Sequence, residues 1–172
     1  MRRLVLLRHA KSDRGELLQS DFDRPLADRG RDASRQVGVY LRESNFVPDL
    51  ILCSPSRRTM ETLESLPRAS FPNAEVHEIS ALYHAEASTL LETIQNSNDK
   101  FMTLLVIGHN PGIQQLAIDL SGRSNDLPAR RLAEKFPTAA LAVYDIDAES
   151  WHLAAPRCAH LVAFVTPRDL PD

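Results

Sequence analysis

An arginine and a histidine stand side by side at Arg8-His9, where the aliphatic run "LVLL" stops abruptly. The same break recurs twice. The apolar "ILC" gives way to "SPSRRTMET" with Arg57 and Arg58, and "LLVI" gives way to "GHNPG" with His109. Such side chains are costly to bury unpaired, so each run either surfaces here or delivers its polar residues into a cleft. Gathered in one cleft, two histidines and two arginines repel each other unless an anion lies between them. Guanidinium forks match pairs of phosphate oxygens, and a neutral imidazole is a good nucleophile near pH 7. A phosphoryl group, held by arginines and attacked by an imidazole, meets this demand.

The elements that must position these residues follow from periodicity. Residues 4–7 predict a first buried strand. Ala33, Val37, Tyr40 and Leu41 form one face of a helix that ends before Pro48. Residues 49–54 ("DLILCS") predict a second strand running into a helix that starts at Ser54-Pro55 and turns Met60 and Leu63 inward. "EVHEI" reads as a weaker third strand, with a helix on Leu90, Leu91 and Ile94. "FMTLLVI" repeats the opening pattern before a helix carrying Ile113, Leu116, Ala117 and Leu120. The polar "SGRSNDLPARRLAEKFP" predicts a loop with a short helix over one end of the sheet. "AALAVYDI", "WHLAA" and "HLVAFV" predict final strands, with a turn near residues 147–150. Strands alternating with helices point to a three-layer α/β/α sandwich, its central sheet mostly parallel with an antiparallel edge, in a single domain over residues 1–172. Ligands of such sheets bind outside the carboxyl ends of the strands, where the three polar breaks meet if their strands are parallel neighbours. Helix N-termini beside Pro55 and Pro111 are expected to aim backbone N–H groups at the same place.

Composition excludes several classes. A net charge of -3 leaves no basic footprint for nucleic acid. The four-residue apolar run before Arg8 is too short for a signal-peptide core or a membrane span. Cys53 and Cys158 form neither a C-x-x-C pair nor a disulfide framework, which suits a reducing, cytoplasmic setting. No H-x-H or H-E-x-x-H spacing is present, so neither a metal nor another cofactor is expected.

Together these motifs carry a resemblance. "LLRHAKS" resembles the R-H-G signature of the histidine phosphatase superfamily, with Ala10 in the glycine position. "SPSRRTMET" is similar to that family's S-P-x-x-R-x-x-x-T element, aligning Ser54, Pro55, Arg58 and Thr62, and "GHNPG" resembles its second-histidine motif. "DFDRPLADRG" resembles the D-x-x-R-P-L-T-x-x-G segment of the branch containing the phosphohistidine phosphatase SixA. With "ALYHA" and "LVAFVTPRDL" the likeness runs over residues 2–170. It implies a phosphoglycerate mutase-like fold and a phosphatase that works through a covalent phosphohistidine enzyme. In that reading His9 is the nucleophile, Arg8, Arg58 and His109 hold the phosphoryl group, and Arg24 and Asn110 add substrate contacts. The implied substrate is a phosphohistidine protein. A small phosphorylated metabolite (a sugar or nucleotide phosphate) and a silent phosphate-binding module remain the alternatives.

Some positions depart from the pattern or admit a plainer role. Ala10 fits beside a phosphate only with a negative φ. Glu61 stands where many relatives carry glutamine, and must point away from an anion. Nothing resembles the E-G acid segment of the mutases. His84 and Glu86 follow the third strand, where relatives with a general acid place it, although surface polarity is the preferred account of both. Ser54 reads as an N-cap and Arg57 as a solvated helix residue. Arg24 reaches the phosphate or pairs with Asp21 or Asp28. His77, His152 and His160 lie in strand patterns and read as structural or exposed, and the loop over residues 11–28 reads as a solvated rim.

Overall fold

In "LVLL" every side chain is buried, and successive residues of a strand point to opposite faces, so this run needs cover on both sides. The computed structural model, which describes residues 1–14, 19–67, 69, 71–122, 124 and 126–171, supplies that cover. Its elements are β1 (Arg2–Arg8), α1 (Asp28–Glu43), β2 (Leu50–Cys53), α2 (Arg57–Ser65), β3 (Glu75–Glu78), α3 (Ala87–Gln95), β4 (Thr103–Gly108), α4 (Gly112–Ser121), α5 (Leu127–Glu134), β5 (Leu141–Ile146) and β6 (Ala159–Val165). The sheet order is β3-β2-β4-β1-β5-β6. β3, β2, β4 and β1 are mutually parallel, whereas β5 runs antiparallel to both of its neighbours. The α/β/α sandwich with an antiparallel edge is the one the sequence predicts.

The pleat divides the core in two. Leu4, Leu6, Leu52, Leu104 and Val106 pack with Leu90 and Ile94 of α3 and with Ile113, Leu116, Ala117 and Leu120 of α4. Val5, Leu7, Ile51, Leu105 and Ile107 pack on the other face with Val37 and Leu41 of α1, against which Met60 and Leu63 of α2 are half-buried. Burying a Leu or Val side chain contributes about 1.5–3 kcal/mol, so this double-sided packing holds the parallel strands in register. The register sets Arg8 opposite Gly108 and Cys53 opposite Ile107. The polar residues that follow the three strands therefore emerge side by side.

Two local expectations are corrected. α2 begins at Arg57, with Ser56 as its N-cap, rather than at Ser54-Pro55. The Ser54 N–H still donates to Ile107 O at 3.1 Å, continuing the β ladder one residue beyond β2, and a residue in that ladder cannot open a helix. "WHLAA" is not a strand: Trp151–Leu153 form a 3-10 turn. Trp151 is fully buried with Nε1–H donating to Phe101 O at 2.8 Å, and the Arg2 guanidinium lies over its ring. That anchored ring fixes the chain in a turn. In the segment expected to be a loop with a short helix, α5 is that helix, capped by Asp126, whose side chain accepts from Ala129 N–H; residues 123 and 125 lie outside the described residues. Among the described residues no helix is long and apolar enough to cross a membrane.

Gly112 opens α4 against the loop that carries Tyr83 and His84. A Cβ there would stand 1.9 Å from Ala85 O, a backbone atom that cannot swing aside. Gly112→Ala is expected to lower stability by about 1–3 kcal/mol through this overpacking. The measurement is a urea midpoint; an unchanged midpoint would show that the loop yields freely.

Candidate active site

The fold brings His9, Arg58 and His109 together in one buried pocket, with half-buried Arg8 near enough for its charge to act on His9. His9 is 8% exposed, Arg58 3% and His109 3%. The two imidazole rings lie 5.3 Å apart, centroid to centroid. His9 Nδ1 lies 2.8 Å from Ala10 O. A carbonyl only accepts, so Nδ1 carries the proton and Nε2 keeps its lone pair. Burial first, and the charges of Arg58, Arg8 and Arg24 after it, bring the His9 pKa down to about 4. The neighbouring cations thus act as expected but are the smaller cause.

His109 makes two contacts of opposite sense. Its Nδ1 lies 3.4 Å from the Arg58 guanidinium, which only donates, so Nδ1 is the acceptor. Nε2–H then donates to Ser54 Oγ at 2.8 Å. Burial, then the charges of His9, Arg58 and His84, hold the His109 pKa near 3. Ser54 is therefore no N-cap: fully buried, it orients the second histidine. Ala10, the departure from glycine, is not among the positive-φ residues, and its N–H donates to Thr62 Oγ1 at 3.0 Å.

The arginines separate cleanly. Arg58 reaches into the pocket, while Arg57 is exposed and donates to Glu61 Oε1 at 2.7 Å. Glu61 also accepts from Arg31 (2.7 Å) and from Leu26 N–H (2.8 Å), which turns its carboxylate away from the pocket. The first amide of α2, Arg57 N–H, donates to Phe22 O rather than pointing free at the site. Arg8 donates from Nη1 to Phe136 O at 2.8 Å, and its Nε is buried without a partner among the described residues. Asn110 donates from Nδ2 to the same Phe136 O (3.1 Å) and to Gln114 Oε1 (3.2 Å). With both amide hydrogens engaged, Asn110 sets the backbone that holds Arg8 and has no free donor for a substrate.

Asp21 is the residue that sequence reasoning missed, having been weighed only as a partner for Arg24. Its Oδ2 accepts from Arg58 (3.0 Å), Tyr83 Oη (2.9 Å) and His84 Nε2 (3.1 Å), its Oδ1 from Arg24 (3.1 Å), and its backbone carbonyl from Arg58 again. Despite the opposing cost of burial, these donors and the Arg58 charge hold its carboxyl well below the usual carboxylate range. Asp21 opens the "DFDRPL" motif, which was the available signal. Arg24 is tied to Asp21, Ser12 Oγ and Asp13 O, so of its two expected roles the structure displays the ion-paired one. His84 is more than surface polarity: at φ 50 its ring lies 5.2 Å from that of His109. Glu86 is exposed at the start of α3 and is not drawn into this network. The first loop is more than a rim, because Asp21 caps Arg58 and Phe22 packs edge-on against Tyr83 at 5.0 Å; its residues 15–18 lie outside the described residues. His77, His152 and His160 are exposed. Among the described residues no cluster of three or more His, Cys, Asp or Glu is placed to hold a metal ion.

Known proteins share this arrangement of elements. Residues 4–82 match the family model of the histidine phosphatase superfamily (branch 1). An uncharacterized protein of Mycobacterium tuberculosis is 38% identical over 164 residues, which cover 94% of this chain and 100% of that protein. The chain belongs to the histidine phosphatase superfamily. A solved structure from Agrobacterium tumefaciens, provisionally named phosphohistidine phosphatase SixA, superimposes with a TM-score of 0.82 at 28% identity, covering 96% of this chain and 98% of that one. A second one so named, from Nakamurella multipartitia, gives 0.81 at 26% identity and 96% coverage of both chains. Within the superfamily, the chain is thus similar in structure to proteins placed with SixA.

The depressed histidines make a pH prediction. Their folded-state values, about 4 and about 3, lie below the ordinary 6.5, so the unfolded chain binds more protons through that interval. Stability is then full above about pH 6.5 and declines as pH falls toward 4. Asp21 adds to the decline only below the ordinary carboxylate value of 3.8. The fall in Tm between pH 7 and 5 should shrink in His9→Asn, which cannot titrate there; identical falls in both proteins would contradict the assignment.

Proposed function

We propose that this member of the histidine phosphatase superfamily hydrolyses phosphohistidine on proteins, through a covalent phosphohistidine enzyme. The observation that carries the reading is the His9 tautomer: Nδ1–H is held by Ala10 O, so the lone pair on Nε2 is available in the pocket beside Arg58 and His109. In the first step Nε2 bonds to phosphorus as the phosphorus–nitrogen bond of the substrate breaks. The departing imidazole, protonated on its other nitrogen by solvent water, leaves neutral. Water then attacks phosphorus, inorganic phosphate departs, and His9 is restored. Arg8 and Arg58 hold the equatorial oxygens as charge redistributes over them, which is where fixed donors accelerate phosphoryl transfer most. The arriving phosphoryl group competes with Asp21 for Arg58. Its negative charge also draws a proton to His109 Nδ1, turning that nitrogen from acceptor into donor.

Two features support a phosphoramidate over a small alkyl phosphate. An imidazole leaves without a strong general acid, and Glu86 lies apart from the network while His84 is engaged by Asp21. Between β3 and α3 the chain makes only a 3-10 turn at Ser80–Leu82 and the exposed His84, with no inserted lid. On that side only Tyr83 and His84, both bonded to Asp21, border the pocket, and there is no enclosing insertion to exclude a side chain projecting from a protein surface.

His9→Ala is expected to abolish turnover, and rapid quench of the wild type should trap a phosphoenzyme that is labile in acid and stable in base. An acid-stable phosphoenzyme would point to a hydroxyl ester and overturn the mechanism. On substrate, kcat/KM should be higher for phosphohistidine protein than for small phosphate esters. A preference above about a hundredfold for one sugar or nucleotide phosphate, worth ~2.7 kcal/mol, would assign the site to a metabolite instead. Arg58→Ala should cost on the order of 2–4 kcal/mol of transition-state stabilisation, and Arg57→Ala little. Steady-state kinetics on p-nitrophenyl phosphate ranks the two; equal losses would refute the division of roles.

A further inference from the structure

A groove of about 960 Å³ opens beside the catalytic pocket, lined by the start of α1, the end of α5 and the segments around Lys11, residues 137–139 and residues 164–169. The ends of β1 and β6 and the beginning of β5 share this edge of the sheet. One wall is continuous with the active site, since Ala139 N–H donates to both Arg8 O and His9 O at 3.2 Å. The catalytic pocket lies on the β4 and β2 side of β1, and the groove lies on the β5 and β6 side.

Its charge is out of keeping with the rest of the chain. Lys11, Arg29, Lys135 and Arg168 all line it and are all exposed, and none has a side-chain hydrogen bond or ion pair among the described residues. A fifth cation, Arg131, is taken by Asp169 at 2.8 Å. Of the remaining acidic residues in the lining, Asp32 is paired with Arg35, which leaves Glu134. Four unpaired cations thus face one unpaired carboxylate, in a chain whose net charge is -3. A protein of that net charge repels acidic partners except where a local field reverses the sign, and such a field acts over about 10 Å at 0.1 M salt.

We propose that this groove docks an acidic peptide segment flanking the phosphorylated residue of a protein substrate. The proposal rests on the phosphoprotein reading given above. Adjacent strands lie about 4.8 Å apart, so the far side of the groove, at the end of β6, is roughly 10 Å from the end of β1, and an extended peptide rising ~3.3 Å per residue spans that in about three residues. Carboxylates roughly three to six positions from the phosphorylated residue are the ones that reach the cations. The cations are spread over four separate segments, and the aromatic ring in the lining, Phe164, is buried, so no exposed ring face offers a base a stacking platform. An extended polyanion fits this better than a nucleotide.

The test uses the full chain and the variant Arg29→Glu/Lys135→Glu/Arg168→Glu, which leaves the catalytic residues intact. The probe is a fluorescein-labelled peptide bearing four glutamates and no phosphate, with a glutamine version as control. By fluorescence anisotropy at low salt the wild type should bind the glutamate peptide about tenfold more tightly than the glutamine peptide. The difference should vanish in the variant and in 0.5 M salt (~4 Å screening), while turnover of p-nitrophenyl phosphate stays unchanged in the variant. Equal binding of both peptides by the wild type, a preference that survives in the variant, or tighter binding of tripolyphosphate than of the peptide would each overturn the proposal. The same two sequences carrying phosphohistidine then separate it from the activity it rests on. Binding that depends on the groove, with neither phosphopeptide hydrolysed, would remove the phosphohistidine reading and leave the groove a peptide site.

Discussion

Everything in the pocket answers to one electrostatic constraint, which is that two guanidinium groups and two imidazoles occupy a small volume largely shut off from water. Four positive charges there would cost several kcal/mol apiece. The protein meets the constraint in two ways. Burial and mutual repulsion keep His9 and His109 neutral, and the Asp21 carboxylate sits on Arg58 as an internal anion. The first of these leaves His9 Nε2 with a free lone pair, which the proposed nucleophilic role requires. The second marks where negative charge belongs.

The same economy governs the supporting hydrogen bonds. Phe136 O receives both Arg8 and Asn110, so one carbonyl on the approach to β5 ties the end of β1 to the end of β4. Ser54 Oγ accepts from His109 and so ties β2 to β4. Arg8 and His109 are thereby held by groups from other segments of the chain, as Arg58 is by Asp21. Such a site tolerates little drift in strand register, because a slip of one residue reverses which side chains face each way. The double-sided aliphatic core behind it supplies that rigidity.

The position of β1 gives the protein two flanks of different character. On one side of its end lies the neutral-imidazole pocket, the proposed phosphoryl site. On the other side lies a groove whose exposed cations make no hydrogen bond or ion pair among the described residues, suited to charge recognition rather than chemistry. Residues 137–139 form the partition between them.

Much of this was legible in the sequence because it is local. Aliphatic runs of strand length, helical spacing at Ile113, Leu116, Ala117 and Leu120, and the abrupt arginines and histidines at three strand ends are all properties of short segments, and they specify a parallel sheet with a polar edge. The resemblance of "SPSRRTMET" to the family's S-P-x-x-R element likewise distinguished Arg58 from Arg57. What required the tertiary structure was every relation between distant segments. Asp21 lies far from Arg58, Tyr83 and His84 in the chain, and only folding of the first loop over the pocket brings its carboxylate to all three. Ser54 resembles a helix cap until the β ladder is seen to run through it, and Asn110 resembles a substrate ligand until its amide hydrogens are found spent on Phe136 and Gln114. Residue type and local pattern declare which groups can do chemistry, but a hydrogen bond has a direction and a partner, and those are decided only when the chain closes on itself.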